Sequence, residues 1–376
     1  MTITNKWTGM LLLGLAGLLG MVAGCAPGSD SQDGNPRSDQ PNIVLFLVDD
    51  LGWQDTSVPF HKEATPFNER YQTPHMERLA GQGMRFTNAY SASPVCTPTR
   101  SSIITGKSPA RTNITDWTLH NDVERMERTG PDYPVKSPDW SVGGVQPDST
   151  LLTELLQDLG YRTIHAGKAH FGALGTAGEN PETLGFDINI AGHAAGSPGS
   201  YWSEERYGNS ETDSIWGVPG LEEYYGGQTN LTEALTLEAN KAIDEAVEEG
   251  IPFYINMAHY TVHTPIMADR RYYQDYLKAG LDSSEAKYAS MIEGMDRSLG
   301  SILQNLEEEG VAEQTMILFT SDNGGLSVHS RGATPAGTGA NTHNAPLRSG
   351  KGSAYEGGIR VPMIVSWAKR AEDHPM

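Results

Sequence analysis

The chain has 376 residues, enough for one large or two ordinary domains with a substantial buried core. Its formal net charge of −20 excludes nucleic acid and anionic membrane surfaces as general partners, although a local cluster of Lys, Arg and His still reverses the field inside one cleft. With 42 glycines and 22 prolines it is rich in loops, and loops on a rigid scaffold commonly carry sites. Lys6 precedes "GMLLLGLAGLLGMVAGC", an apolar run near the lower limit for spanning a bilayer. A basic start, a short apolar core and small residues at its end fit an export signal better than a membrane span.

Val22-Ala23-Gly24-Cys25 resembles the bacterial lipobox. The resemblance implies that residues 1–25 are a lipoprotein signal peptide, that Cys25 is lipidated, and that the protein is exported and membrane-anchored in a bacterium. The anchor then lies on the periplasmic or outer-membrane face, with Ala26 after the cysteine favouring the outer membrane. "APGSDSQDGNPRSDQ", residues 26–40, offers nothing to anchor a core and reads as a flexible linker. Cys25 and Cys96 are thus committed separately, and no intramolecular disulfide is expected.

The globular part, residues 41–376, opens with "PNIVLFLVDD", an apolar run suited to a strand buried on both faces. "STLLTELLQDLG" predicts a helix with Leu151, Leu152, Leu155, Leu156 and Leu159 on one face and Gly160 as its stop. "YRTIHAG" predicts a strand. "LTEALTLEANKAIDEAVEEG" predicts a second amphipathic helix, followed by the strand "PFYINMAHY". "SSEAKYASMIEGMDRSLGSILQNLEEEG" predicts a long third helix, followed by the strand "TMILFTSDNGG". A last strand, "VPMIVSW", lies near the chain end. This alternation implies an α/β fold, a large mostly parallel sheet with helices on both faces. Long Gly-rich stretches near 105–147, 172–228 and 324–350 are expected to build the site.

Polar residues gather immediately after the strands: Asp49-Asp50, Lys168 and His170, His259 and His263, Asp322-Asn323. In open α/β sheets the ligand crevice lies at the carboxyl ends of the strands, so these segments should converge. The two aspartates read equally well as a helix-capping pair, and "SDNGG" alone is an ordinary turn. Together they offer carboxylate and amide oxygens, a hard-ligand set for Ca²⁺ or Mg²⁺ rather than zinc. Arg100, Lys168, His170, His263 and Lys351 fall in or beside turns. Idle singly, as a group they suggest a pocket gripping a tetrahedral anion. Cys96 sits in "SASPVCTPTRSSI", a turn opening into a helix, an odd place for a cysteine kept for packing.

"CTPTRSSIITGK" resembles the sulfatase signature, with Cys-x-Pro-x-Arg as its core. "PNIVLFLVDDLGW", "GKAHFG", "HTP", "SDNGG" and "LRSGKGSAYEGGIRVP" are similar to further segments of that family, in the same order from about Asn42 to Trp367. The resemblance implies an alkaline phosphatase-like fold and a sulfuric ester hydrolase. It further implies that a formylglycine-generating maturation enzyme oxidises Cys96 to formylglycine. One hydroxyl of the hydrated aldehyde then attacks sulfur and the other expels sulfate, a release that a sulfocysteine would not achieve by simple elimination. By the same resemblance Asp49, Asp50, Asp322, Asn323 and the modified residue 96 hold Ca²⁺, and Arg100 fixes residue 96. Lys168, His263 and Lys351 neutralise the sulfate, His170 takes a proton, and His263 with Lys351 serves the leaving alcohol.

Ala169 replaces the tryptophan usual in the family's Gly-Lys-Trp-His segment, a change of pocket shape. The resemblance implies a small C-terminal subdomain beyond "AKRAEDHPM", so the catalytic domain is expected to be truncated here, with apolar surface left uncovered. The expected substrate is a sulfated saccharide, and His329, Arg331 and His343 in the loop "HSRGATPAGTGANTHNAPLR" are candidate sugar contacts. Two rivals remain: a phosphatase or phosphonate monoester hydrolase of the same superfamily, and a non-catalytic surface glycan-binding protein.

Overall fold

A computed structural model describes residues 40–121, 139–147, 150–208, 215–326, 344–371 and 374. Strand β1 (Asn42–Val48) leads to helix α1 (Pro74–Gln82), strand β2 (Met84–Tyr90), α2 (Cys96–Thr105) and the single turn α3 (Pro109–Thr112). Next come α4 (Leu152–Asp158), β3 (Arg162–Gly167), β4 (Ile188–Ile190), α5 (Leu231–Glu248) and β5 (Phe253–Ala258). The order closes with α6 (Tyr273–Lys278), α7 (Ser283–Glu308), β6 (Thr315–Ser321), α8 (Glu356–Ile359) and β7 (Arg360–Trp367).

The strands form one sheet in the order β2-β7-β6-β1-β5-β3-β4. β6, β1, β5, β3 and β4 are mutually parallel, whereas β7 runs antiparallel to both β6 and β2. The last strand, entered from the one-turn helix α8, is thus antiparallel at one side of an otherwise mostly parallel sheet.

Period-two alternation divides the core. Val44, Phe46 and Val48 of β1 face a large cluster built with α1, α5 and α7. Ile43 and Leu45 face a second cluster with Ile104 of α2 and Leu156 of α4. Helices thus cover both faces, as expected. α5 and α7 form because their apolar residues recur at helical spacing and Asn230 and Asp282 cap them, each accepting a hydrogen bond from a first-turn N–H.

α4 is shorter than predicted and its buried face is different. Leu151 is its N-cap and Leu159 its C-cap, so neither continues the helical row. Thr153 and Leu156 face inward, while Leu155 and Leu159 are 52% and 59% exposed. The Thr153 hydroxyl donates to Leu184 O, which recruits a polar residue to the inner face.

The N-terminal signal, the linker through residue 39, Cys25 and the three loop candidates His329, Arg331 and His343 lie outside the described residues. Among the described residues no helix is long and apolar enough to cross a membrane.

Candidate active site

Four adjacent parallel strands, β6, β1, β5 and β3, end at one edge, and their tails continue to pair beyond the strands. Asp322 N–H donates to Val48 O (3.1 Å), Asp49 N–H to Thr261 O (3.0 Å) and Lys168 N–H to Ala258 O (2.7 Å). This knitting aligns the first residues after each strand. Asp50 and His170 adopt left-handed backbone (φ +60° and +53°), an uncommon conformation for such residues that turns their side chains out of the strand direction.

α2 enters the same edge from the side. Its N-cap Val95 is extended and Cys96 is the first helical residue, with Pro98 in the first turn, where its missing N–H costs nothing. The Cys-x-Pro-x-Arg spacing puts Cys96 and Arg100 one helical turn apart on one face. Eight of the ten residues of α2 are buried, so the helix has no solvent face and its sequence shows no amphipathic period. The Lys351 loop is held against both neighbours, with Lys351 N–H donating to Gly325 O (3.0 Å) and Gly352 N–H to Pro94 O (2.9 Å). A Cβ on Gly324 would lie 1.9 Å from Gly357 O, so "SDNGG" and "YEGG" pack backbone against backbone.

All ten residues predicted from the sequence are brought together. Arg100 binds Asp322 Oδ2 through Nε and Nη2 (2.8 Å each), and its Nη1 donates to Lys168 O (2.6 Å). Lys168 Nζ reaches Asp49 Oδ2 at 2.7 Å. Lys351 Nζ lies 2.7 and 2.9 Å from the two Asp50 oxygens and 3.4 Å from Cys96 Sγ. Asn323 donates through Nδ2 to Asp50 Oδ1 (2.7 Å), and its Oδ1 is buried without a hydrogen-bond partner among the described residues.

Asp49, Asp50, Cys96 and His263 offer ligand atoms within 4.8 Å of one another. His263, expected only on the anion side, therefore also borders the metal-type cluster, with Nε2 3.6 Å from Asp50 Oδ2. Its Nδ1–H donates to Thr264 O (2.8 Å), which turns Nε2 toward the carboxylate. The donor set is carboxylates with one amide oxygen aimed inward and unpaired, which fits a hard divalent cation. Three carboxylates face three permanent cations, Arg100, Lys168 and Lys351. A divalent ion would leave the pocket net positive, as an anionic substrate needs.

Burial dominates the electrostatics. It pushes the Cys96 thiol up to about 12, so unmodified Cys96 is a neutral thiol rather than a ready nucleophile. It pushes Asp49 up to about 8 against the pull of Lys168, with Asp322 and Asp50 adding to the rise. Burial opposes ionisation of Asp50 too, but Lys351, His263 and Lys168 hold that carboxyl well below the usual range. Burial, then Lys351, lowers His263 to about 3.

His170 is also kept neutral, well below its ordinary value, by burial and then by Lys168. Its Nε2–H donates to Thr118 O (2.8 Å), so the neutral ring carries its lone pair on Nδ1. That Nδ1 is buried without a hydrogen-bond partner among the described residues. Gly196 makes room for it: a Cβ there would lie 2.3 Å from His170 Cε1 and 2.5 Å from Nδ1. His259, also at a strand end, does not join the site. It packs beneath the sheet against Phe46 and pairs with Ser298 Oγ at 2.8 Å.

A cavity of about 320 Å³ opens on Cys96, His170, His263 and Lys351. Its other lining residues include Trp117, Leu119, Gly196, Ser197, Trp216 and Leu326. Sequence reasoning missed these, because they sit in loops without periodicity and only the fold gathers them. Tyr201 was missed for the same reason: its buried hydroxyl reaches Tyr260 O (2.6 Å) and His263 O (3.0 Å), fixing the loop that carries His263.

The chain matches the family described as Sulfatase over residues 41–374. It is 31% identical over 367 residues to N-acetylgalactosamine-6-sulfatase of Mus musculus, covering 95% of this chain and 61% of that protein. It is 28% identical over 422 residues to N-acetylgalactosamine-6-O-sulfatase of Bacteroides thetaiotaomicron, covering 96% of this chain and 74% of that one. The crystal structure of Ps i-CgsB in complex with k-i-k-neocarrahexaose superposes with a TM-score of 0.66 at 28% identity, covering 90% of this chain and 69% of that one. The chain spans about three-fifths of the length of the curated mammalian relatives it matches. The α/β architecture is the alkaline phosphatase-like fold. With the match running from β1 past β7 and the signature cysteine set among strand-end oxygens, the chain belongs to the sulfatase family.

Proposed function

We propose that this protein is a sulfuric ester hydrolase that releases sulfate from a sulfated carbohydrate. The observation that carries the reading is that Cys96 and Lys351, which line one cavity, meet the linked side chains of Asp49, Asp50, Asp322 and Asn323. The similarity to N-acetylgalactosamine-6-sulfatases and to Ps i-CgsB in complex with k-i-k-neocarrahexaose supports a carbohydrate substrate.

In this reading a maturation enzyme converts Cys96 to formylglycine, whose hydrate supplies one hydroxyl for attack at sulfur and a second whose deprotonation releases sulfate. Asp49, Asp50, Asp322 and Asn323 would hold Ca²⁺, which supplies Lewis-acid polarisation of the nucleophile and of a sulfate oxygen. Arg100 keeps α2, and with it position 96, tied to Asp322. Lys168 and Lys351 surround the sulfate and spread its charge, with the neutral His263 beside them. His170 Nδ1, with no competing hydrogen bond, accepts the proton of the second hydroxyl. His263 or Lys351 attends the departing alcohol. Export and a lipid on Cys25 belong to the same proposal, resting on the N-terminal sequence alone.

The test is sulfate release from N-acetylgalactosamine 6-sulfate by protein co-produced with a maturation enzyme, before and after EGTA. Release should stop with EGTA and return with Ca²⁺, and the matching phosphate ester should react far more slowly. Full activity in a verified metal-free preparation, or preference for the phosphate ester, would overturn the reading.

A further inference from the structure

We infer that Trp117 and Trp216 form an aromatic wall that recognises the ring bearing the sulfate. The inference rests on the sulfatase reading above and extends it from the sulfate to the group that carries it.

The cavity is chemically two-ended. Its titratable lining residues among the described residues are Cys96, His170, His263 and Lys351, all committed to the anion end. The rest of the described wall is Val95, Trp117, Leu119, Trp216 and Leu326, with Gly196, Ser197 and Thr264. Such a wall suits a ring with an apolar C–H face and a few hydroxyls. At about 320 Å³ the space is at the small end of ligand pockets, room for one ring rather than a chain.

The wall is built rather than incidental. Trp117 and Trp216 pack against one small cluster, Leu119, Ala194 and Ala195, separate from the two main cores. The peptide after Trp117 is tied in three directions through Thr118. Its N–H donates to Thr97 Oγ1 on the nucleophile helix (3.3 Å), its hydroxyl to Val142 O (2.6 Å), and its carbonyl accepts from His170 Nε2 (2.8 Å). Trp216 O accepts from Gly199 N–H at 2.7 Å, in the segment that also brings Gly196 and Ser197 to the cavity. The aromatic wall is thereby held in fixed register with both the nucleophile and the base.

The experiment measures binding and so does not depend on turnover. Full-length Cys96→Ala protein is titrated calorimetrically with N-acetylgalactosamine 6-sulfate and with inorganic sulfate. Adding Trp117→Ala or Trp216→Ala should weaken the amino-sugar sulfate roughly tenfold, about one aromatic contact's worth, while sulfate itself binds as before. Trp→Phe should restore most of the loss, which a merely unfolded wall would not allow. Unchanged sugar affinity in both Ala variants, or parallel loss of inorganic sulfate, would overturn the inference. Failure of wild-type protein to release sulfate would instead count against the hydrolase reading, leaving the binding result to stand on its own.

Discussion

Gly196 shows how one missing methyl can set a catalytic group. His170 donates Nε2–H to Thr118 O, and the opposite edge of its ring lies where a Cβ on residue 196 would intrude to 2.3 Å. Gly196→Ala should therefore displace the imidazole without touching the cations. The expected outcome is a fall in kcat of about 10²-fold or more with KM little changed, since general-base assistance is worth roughly 10²–10⁴. Steady-state kinetics on a sulfate ester, with a melting curve to confirm the fold, checks this; a loss confined to KM would contradict it. At this scale the sequence was most informative about residues that carry charge. Asp49, Asp50, Lys168, Asp322 and Asn323 were legible because polar groups recur directly after several apolar strands, and Lys351 through its resemblance to a family segment. Gly196 and Trp117 were not, because a glycine or a tryptophan in a loop gives no sign of its neighbour across the fold.

The segment after β5 illustrates the next scale. It carries His263 to the cavity, and the Tyr201 hydroxyl bridges its carbonyls at Tyr260 and His263 from a loop 59 to 62 residues earlier. Tyr201→Phe would leave those buried acceptors short of a donor, costing roughly 1–3 kcal/mol. The loss should appear as a lower melting temperature and a reduced kcat, because His263 would lose its fixed register. An unchanged melting temperature would show that other bonds hold the loop. Elements were legible in proportion to their burial pattern. β1, β5 and β6 are aliphatic runs closed by polar residues, and α5 and α7 keep a helical period over many turns. β2, "MRFTNAY", was missed because it is an edge strand, mostly exposed, with no clear alternation. The face of α4 was misassigned because seven residues are too few for a leucine row to define a direction.

At the scale of the whole molecule, the parallel centre of the sheet followed from strand–helix alternation, while the antiparallel β7 was hidden because the short α8 gave no crossover signal. The fold also buries histidines far from any chemistry, and this sets a pH limit. His165 and His259 are fully buried, and burial lowers both to about 3. The folded chain keeps them neutral, whereas the unfolded chain protonates them near the ordinary value of about 6.5. The unfolded state then binds more protons, so the stability these residues confer is complete above that value and is lost as pH falls from it toward 3. Two such groups give a slope approaching about 2.7 kcal/mol per pH unit in that window. Denaturant unfolding across pH 7.5 to 5 should show a smaller loss of stability with falling pH in a His259→Gln variant than in the wild type, and parallel profiles would contradict the assignment of a neutral buried imidazole.

In the proposed mechanism Cys96 becomes the nucleophile only after oxidation, since burial pushes its thiol up to about 12 and keeps it neutral at neutral pH. The most direct measurement is the mass of the tryptic peptide Phe86–Arg100, taken from the same preparations whose sulfate release is being followed. Across preparations with graded maturation, activity should rise in proportion to the fraction of peptide that has lost sulfur and gained an aldehyde oxygen. Cys96→Ala protein should release none. Full sulfate release from protein whose residue 96 is wholly intact thiol would contradict the claim.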